Sequence, residues 1–287
     1  MSLSSQRKAD FFLILTTLIA TCGWIFSREA VAGMPVFAFL GLRFLIAALI
    51  LLLFCHRNDF RQLLRHSPSA LISSGWLAAN MLLWIYAIAT TPSLGEGAFI
   101  MSLSMLFVPL VAWGMLHIRP SGAFWASLPL AVAGLALLTL RNGLTWNISQ
   151  LVFLLAAIVQ AVYFCYNSHY THMIPPLPLA ACQLSCTGIA GLVMSGVWES
   201  WPAQISWSTW GWLLLSALVA TSLRFWIQLK GQSLTSVANA ALLMLLEPLL
   251  TVLAAALWYG ERMPAQQIWG GMLILAALFY YRWRLYR

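Results

Sequence analysis

Charge is the scarcest property of this sequence. Only 8% of its residues are charged and seven are acidic, where a soluble domain carries about 25% charged residues. With 62% of the chain hydrophobic, a soluble globular domain is excluded and an all-α polytopic membrane protein is predicted. Other absences narrow the function. There is no glycine-rich phosphate loop, nucleophile elbow or metalloprotease motif, so neither nucleotide-driven pumping by this chain alone nor the common hydrolytic chemistries are expected. No cofactor is expected. The five cysteines set out neither a disulfide framework nor a metal-ligand spacing, since Cys22, Cys165, Cys182 and Cys186 sit inside apolar runs and Cys55 at the end of one. His169 and His172 are helix neighbours without a nearby third ligand, so no metal is expected there. The net charge of +8 does not point to nucleic acid, because the basic residues are scattered between apolar runs and form no cluster.

What the chain has in abundance is long apolar runs. Ten candidate spans of about twenty residues, the length a hydrocarbon core of about 30 Å demands, fall at 11–31, 35–54, 70–90, 97–116, 123–140, 150–170, 179–197, 207–229, 236–259 and 267–283. The amino-terminal run follows basic residues as a signal peptide does, but it lacks a small-residue cleavage site where one is needed, so it is read as a retained first span. Short loops broken by Gly33, Pro35 and the Pro175, Pro176, Pro178 cluster leave no room for a second, soluble domain. With the amino terminus inside, the inner face receives Arg7, Lys8, Arg57, Arg61, Arg65, Arg119, Lys230, Arg282, Arg284 and Arg287. The outer face receives Arg28, Arg141 and Arg262. The positive-inside rule then places both termini in the cytoplasm.

An internal repeat accompanies this pattern. Trp84-Ile85-Tyr86 recurs as Trp226-Ile227-Gln228, each followed by a polar turn and a small-residue helix with a central proline, Pro109 or Pro248. The halves 1–143 and 144–287 therefore read as two five-helix copies. Five is odd, so the second copy enters the membrane from the opposite side, the inverted-repeat plan of secondary transporters with a binding site near the midplane.

The residues also carry a resemblance. Leu42-Arg43-Phe44-Leu45-Ile46-Ala47, Phe225-Trp226-Ile227-Gln228-Leu229-Lys230, Leu246-Glu247-Pro248-Leu249, Tyr259-Gly260-Glu261-Arg262 and Trp269-Gly270-Gly271 form an ordered set. In these the sequence resembles the EamA family of the drug/metabolite transporter superfamily over nearly its whole length. The first half departs from the pattern, with Val108-Pro109 in place of the glutamate-proline pair and no Gly-Glu pair before His117. The resemblance implies a ten-helix carrier in a bacterial inner membrane, with a central cavity between its repeats. It implies transport of small metabolites, amino acids among them, or of organic toxic compounds, commonly outward.

Polar groups inside the spans are the candidate site. A carboxylate or guanidinium at midplane costs several kcal/mol unless it has a partner, a proton or a function. Glu247 sits in the run 238–261 beside Pro248, which removes a helix hydrogen bond and is expected to kink the segment. Glu247 suits a substrate ammonium or an exchanged proton. Arg43 and Arg224 suit a carboxylate or phosphate, although Arg43 is equally a lock between helices and Arg224 equally able to snorkel to the interface. Asn239 lies two turns before Glu247. Trp24, Trp84, Trp113 and Trp226, with Tyr86, Phe99 and Tyr163, offer flat walls or cation–π contacts, or simply packing. Asn80, Ser102, Ser104 and Asn167 offer neutral hydrogen bonds. The leading expectation is a secondary carrier exporting an amino acid or related zwitterion by alternating access, with protons as a candidate coupling ion. Efflux of lipophilic cations is the alternative if Glu247 is the only net charge of the cavity. A membrane assembly subunit is the alternative of another class.

Overall fold

The computed structural model describes residues 3–90, 94–139, 148–171, 173–259 and 265–285. Within them the side chains of 3–5, 88–89, 94–99, 138–139, 252, 255–256, 259, 267, 278, 282 and 285 are not described. The side chains of Phe99 and Arg282, and the residues Leu140, Arg141, His172, Gly260, Glu261, Arg262 and Arg287, are thus sequence assignments outside the described residues.

The described residues are helical throughout their ordered elements and contain no strand. In chain order they form α1 (Leu3–Val31), α2 (Val36–Leu53), α3 (Arg57–Arg65), α4 (Ser67–Thr90), α5 (Leu94–Leu116), α6 (Gly122–Thr139), α7 (Ile148–Tyr170) and α8 (Pro176–Trp198). α9 (Trp207–Ala217) runs through a π-helical turn, Leu218–Leu223, into α10 (Arg224–Gln232). α11 (Val237–Met244), α12 (Leu246–Tyr259) and α13 (Ala265–Leu285) complete the chain. Six helices are long and apolar enough to cross a bilayer, among them Trp207–Gln232, which counts α9, the π turn and α10 as one. Ile100–Leu116, Gly122–Leu137, Val237–Thr251 and Ile268–Tyr281 are shorter apolar helices. The chain is an integral, multi-pass membrane protein.

Local chemistry sets the helix ends. α2 starts immediately after Pro35, and α8 opens with Pro176 at its first turn, where the missing N–H has no helical partner to lose. Ser206 and Ser236 cap α9 and α11 by accepting the N–H groups of Thr209 (3.2 Å) and Asn239 (3.3 Å). α5 stops at His117, whose φ of 55° is left-handed, and Ile118 N–H reaches back to Ala112 O at 3.4 Å.

The structure corrects one expectation: residues 57–65 form a helix in what reads as a loop. The run 236–259 is interrupted at Leu245, where Leu245 N–H turns back to Leu242 O and α12 begins anew at Leu246. The interruption falls next to Met244, whose carbonyl is the one that Pro248, lacking an N–H, cannot bond in a continuous helix.

Packing gathers the described helices around two large apolar cores and a smaller one formed by Ala30, Met34, Phe39 and Leu213. The first large core, around Phe44, Leu77, Leu179 and Leu184, joins α2, α4 and α8 to α10. The second, around Leu106, Phe124, Phe153, Phe164 and Ile274, joins α5, α6, α7, α11 and α13. α2 and α8 approach backbone to backbone. A Cβ placed on Gly191 would lie 2.8 Å from Gly41 N, and one on Gly188 would lie 2.8 Å from Leu45 N. Small residues at such crossings replace the hydrophobic drive that lipid does not supply.

Glu199, just past α8, ties the same pair at one end. Its two carboxylate oxygens accept Phe37 N–H (2.8 Å) and Ala38 N–H (2.9 Å) at the first turn of α2. Glu199→Ala is expected to destabilise the fold by about 1.5–3 kcal/mol, the range for hydrogen bonds to a charged group. A lowered melting temperature in detergent checks this, and Glu199→Gln, which keeps one acceptor oxygen, is expected to lose less.

Candidate functional site

A cavity of about 210 Å³ lies where α1, α2, α4, α5, α7 and the α9–α12 segment converge. This is smaller than the about 300–1,000 Å³ of pockets for drug-sized ligands. α1 contributes Gly23, Trp24 and Ser27, and α2 contributes Leu40, Arg43 and Phe44. α4 contributes Leu77, Met81 and Trp84, and α7 contributes Gln160 and Tyr163. α5 contributes Met101, Ser102, Ser104 and Met105. α10 contributes Arg224, Phe225 and Gln228, and the segment after it contributes Met244, Leu245, Glu247, Pro248 and Thr251.

Arg43 is held at the cavity by neutral groups. Its Nε donates to Thr221 Oγ1, Nη1 to Ser27 Oγ at 2.8 Å and Nη2 to Ala220 O at 3.4 Å. The rings of Phe39 and Phe44 lie 5.6 and 5.8 Å from its guanidinium carbon. The π turn favours the last of these bonds. Arg224 N–H is directed to Val219 O and Thr221 O, so it leaves Ala220 O to Arg43. Gly23 lets α1 close on this turn, since a Cβ there would lie 2.7 Å from Ala220 Cβ. Arg43 pairs with no acidic side chain among the described residues.

Arg224 does not snorkel away. Its Nη2 faces Glu247 Oε2 at 3.5 Å, with 17% and 23% of the two side chains exposed. Arg43 and Glu247 therefore have separate partners. The cavity wall carries two guanidinium groups against one carboxylate, a net positive charge. Three polar atoms at this wall are buried without a hydrogen-bond partner: Arg224 Nε, Gln228 Oε1 and Gln160 Oε1. A buried polar atom left unpaired costs about 1–3 kcal/mol, which a ligand supplying the complementary group would relieve. Trp24 and Trp84 meet edge to face at 5.6 Å and form an aromatic corner.

The structure brings Trp24, Arg43, Trp84, Ser102, Tyr163, Arg224 and Glu247 to this cavity, together with Ser104. It turns other candidates elsewhere. Asn80 is fully buried and donates to Ala156 O at 2.8 Å, linking α4 to α7. Asn167 accepts from Ser73 Oγ at 2.9 Å and from Gln183 Nε2 at 2.7 Å. Tyr163 donates its hydroxyl to Gln183 Oε1 at 3.2 Å, so Asn167 is joined to the cavity wall through this chain of bonds. Asn239 donates to Thr235 Oγ1 at 2.7 Å and to Asp10 Oδ1 at 3.4 Å. Tyr86 and Trp113 are about half exposed on the outside of the bundle. Trp226 packs on the α2, α4 and α8 core, with Lys230 Nζ 5.5 Å from its ring.

Sequence reasoning missed Ser27, Gln160 and Gln228. All three had a signal: Gln228 follows Arg224 by four residues, Gln160 precedes Tyr163 by three and Ser27 follows Trp24 by three, spacings that share a helix face. Only the fold, however, sets Ser27 against Arg43. Among the described residues, no three His, Cys, Asp or Glu side chains gather to hold a metal.

Comparison with known proteins agrees with this architecture. A solved crystal structure matches with a TM-score of 0.78 at 16% identity, covering 96% of this chain and 98% of its own, which shows a shared fold. An uncharacterized transporter of Archaeoglobus fulgidus is 25% identical over 270 residues, covering 94% of this chain and 84% of the relative. The uncharacterized transporter YcbK of Bacillus subtilis is 27% identical over 128 residues, covering 43% of this chain and 41% of the relative. The model of the EamA-like transporter family matches residues 7–140 and again 147–283. Charged side chains gathered in a chamber within an apolar helical bundle, and a family match that covers both halves, have one common explanation: the chain is a membrane transporter and belongs to the EamA-like transporter family of the drug/metabolite transporter superfamily.

Proposed function

We propose that this transporter exports a small zwitterion, an amino acid or a close relative, from the cytoplasm across a bacterial inner membrane. The carrying observation is that the cavity wall holds charges of both signs, Arg43 and Arg224 with Glu247, beside the unpaired acceptors Gln160 Oε1 and Gln228 Oε1. In this reading the guanidinium groups take the substrate carboxylate, and Glu247 with the two amide oxygens takes its ammonium. Trp24, Trp84, Tyr163 and the cavity methionines receive its side chain, the methionines as adaptable surface. Asn167 acts at one remove by fixing Tyr163. Phe99 is the remaining candidate for the aromatic wall, while Asn80, Tyr86, Trp226 and Asn239 support the helices that carry the site.

The mechanism we propose is alternating access. Ten helices, as two inverted five-helix repeats at 1–143 and 144–287 with both termini cytoplasmic, rock about the cavity and expose it to one side at a time. The two separate matches of the family model support this division. The two arginines count against lipophilic cations as substrate, because a cation entering this cavity meets net positive charge. Glu247 is the candidate proton site if export is driven by proton exchange.

Counterflow in proteoliposomes tests the reading, with labelled amino acids, organic cations and sugars offered with and without a pH gradient. Saturable exchange of amino acids is expected, and dependence on the gradient would show proton coupling and make Glu247 the leading proton site. Exchange confined to organic cations overturns the substrate class. No exchange of any class by folded protein would favour the assembly-subunit reading.

A further inference from the structure

α3 takes no part in the cavity. It is a nine-residue helix between two apolar helices, and none of its residues is buried. At about 100° per residue, Arg57, Arg61 and Arg65 form a row covering about 80° of its circumference. Leu64, Phe60 and Leu63 fill the arc on one side of that row, and the polar residues Asn58, Asp59 and Gln62 complete the circle. Leu63 packs on the core of α2, α4 and α8. Leu64 is 68% exposed, and Leu53 and Phe54, just ahead of the helix, are 83% and 67% exposed. The apolar arc is thus seated on protein along one edge and open along the other. The three arginines stand over the open edge. All three are exposed, and none pairs with an acidic side chain among the described residues.

In a multi-pass membrane protein, a helix with this division lies in the plane of the interface, its apolar strip in the acyl boundary and its arginines at headgroup level. A guanidinium fork matches phosphate oxygens in two parallel bonds. We propose that α3 is a docking site for anionic phospholipid headgroups, with Arg57, Arg61 and Arg65 holding the phosphate and Leu53, Phe54 and Leu64 seated in the acyl region. The occupant follows from charge complementarity. Three arginines without an ion-pair partner among the described residues favour a lipid that brings net negative charge over one that brings its own ammonium group.

Native mass spectrometry of the full-length protein, titrated with phosphatidylglycerol and with phosphatidylcholine, tests this. The wild type is expected to retain phosphatidylglycerol preferentially. Each arginine is expected to contribute about fivefold to its affinity at low salt, so R57Q/R61Q/R65Q loses on the order of a hundredfold. R57K/R61K/R65K is expected to keep most of the preference. In nanodiscs, phosphatidylglycerol is expected to raise the melting temperature of the wild type and not of the glutamine variant, whose unchanged melting in phosphatidylcholine would show that it folds. Equal retention of phosphatidylglycerol by wild type and glutamine variant overturns the proposal. So does equal protection by soluble glycerol phosphate, which would make the ligand a free phosphate instead of a lipid.

Discussion

Gly191→Leu is expected to separate α2 from α8 and to cost the fold about 3 kcal/mol or more, toward the upper end for overpacked interiors. The side chain has no room to move into. A Cβ on Gly191 would stand 2.8 Å from Gly41 N and 2.9 Å from Gly41 Cα, and both are backbone atoms. A rotamer change relieves neither contact, so the whole helix must retreat and the contacts along its length weaken. Gly191→Ala makes the sign informative. Alanine in a helix interior is favoured over glycine by about 1 kcal/mol, so a net loss of stability in that variant isolates the clash. Gly114, which has nothing within 4 Å of its would-be Cβ, serves as the control, and Gly114→Ala is expected to be neutral or stabilising. Thermal melting in detergent reads both. A Gly191→Ala protein as stable as Gly114→Ala would show that the close crossing does not support the fold.

Glu247→Gln is expected to lower transport efficiency by at least about tenfold, the loss of one charge-assisted contact of about 1.5 kcal/mol or more. The fold is expected to keep its stability to within about 1 kcal/mol. The ion pair with Arg224 is long at 3.5 Å and both side chains are partly exposed, which places its worth near that of surface pairs. Glutamine also retains the shape of the side chain and one acceptor oxygen. If Glu247 carries the coupling proton, exchange of substrate persists in the variant while its response to a pH gradient disappears. Normal transport with a lowered melting temperature would make the pair a structural lock between α10 and α12.

How much of this was legible in advance follows the physics of the solvent. In lipid, hydropathy is a strong signal, so the ten apolar segments and the charges inside them stand out. Arg43, Arg224 and Glu247 all reach the cavity, because an intramembrane charge has few other places to go. Direction is harder to read. A spanning helix is apolar toward its neighbours and toward lipid alike, so periodicity does not tell which face is inside. Asn80, Asn167 and Asn239 were therefore visible as polar and not as turned toward other helices. The bond of Arg43 to Thr221 joins residues 178 apart in sequence, and no local pattern announces it. α3 was hidden by its shortness and charge, although Phe60, Leu63 and Leu64 at helical spacing were its signature. Pro248 announced the interruption, which falls beside the carbonyl four residues before it.

The π turn at Leu218–Leu223 has a consequence for how the site is aimed. A π turn fits one more residue into a turn than an α-helix does, and every residue beyond it is rotated by about 100° relative to an uninterrupted helix. The segment Trp207–Gln232 thus changes phase partway along. Leu213 of α9 faces the apolar core with Phe39, while Arg224 and Gln228 of α10 line the cavity. A single span thereby serves two orientations, and the extra residue of the turn sets the compass bearing of the Arg224 guanidinium group that follows it directly.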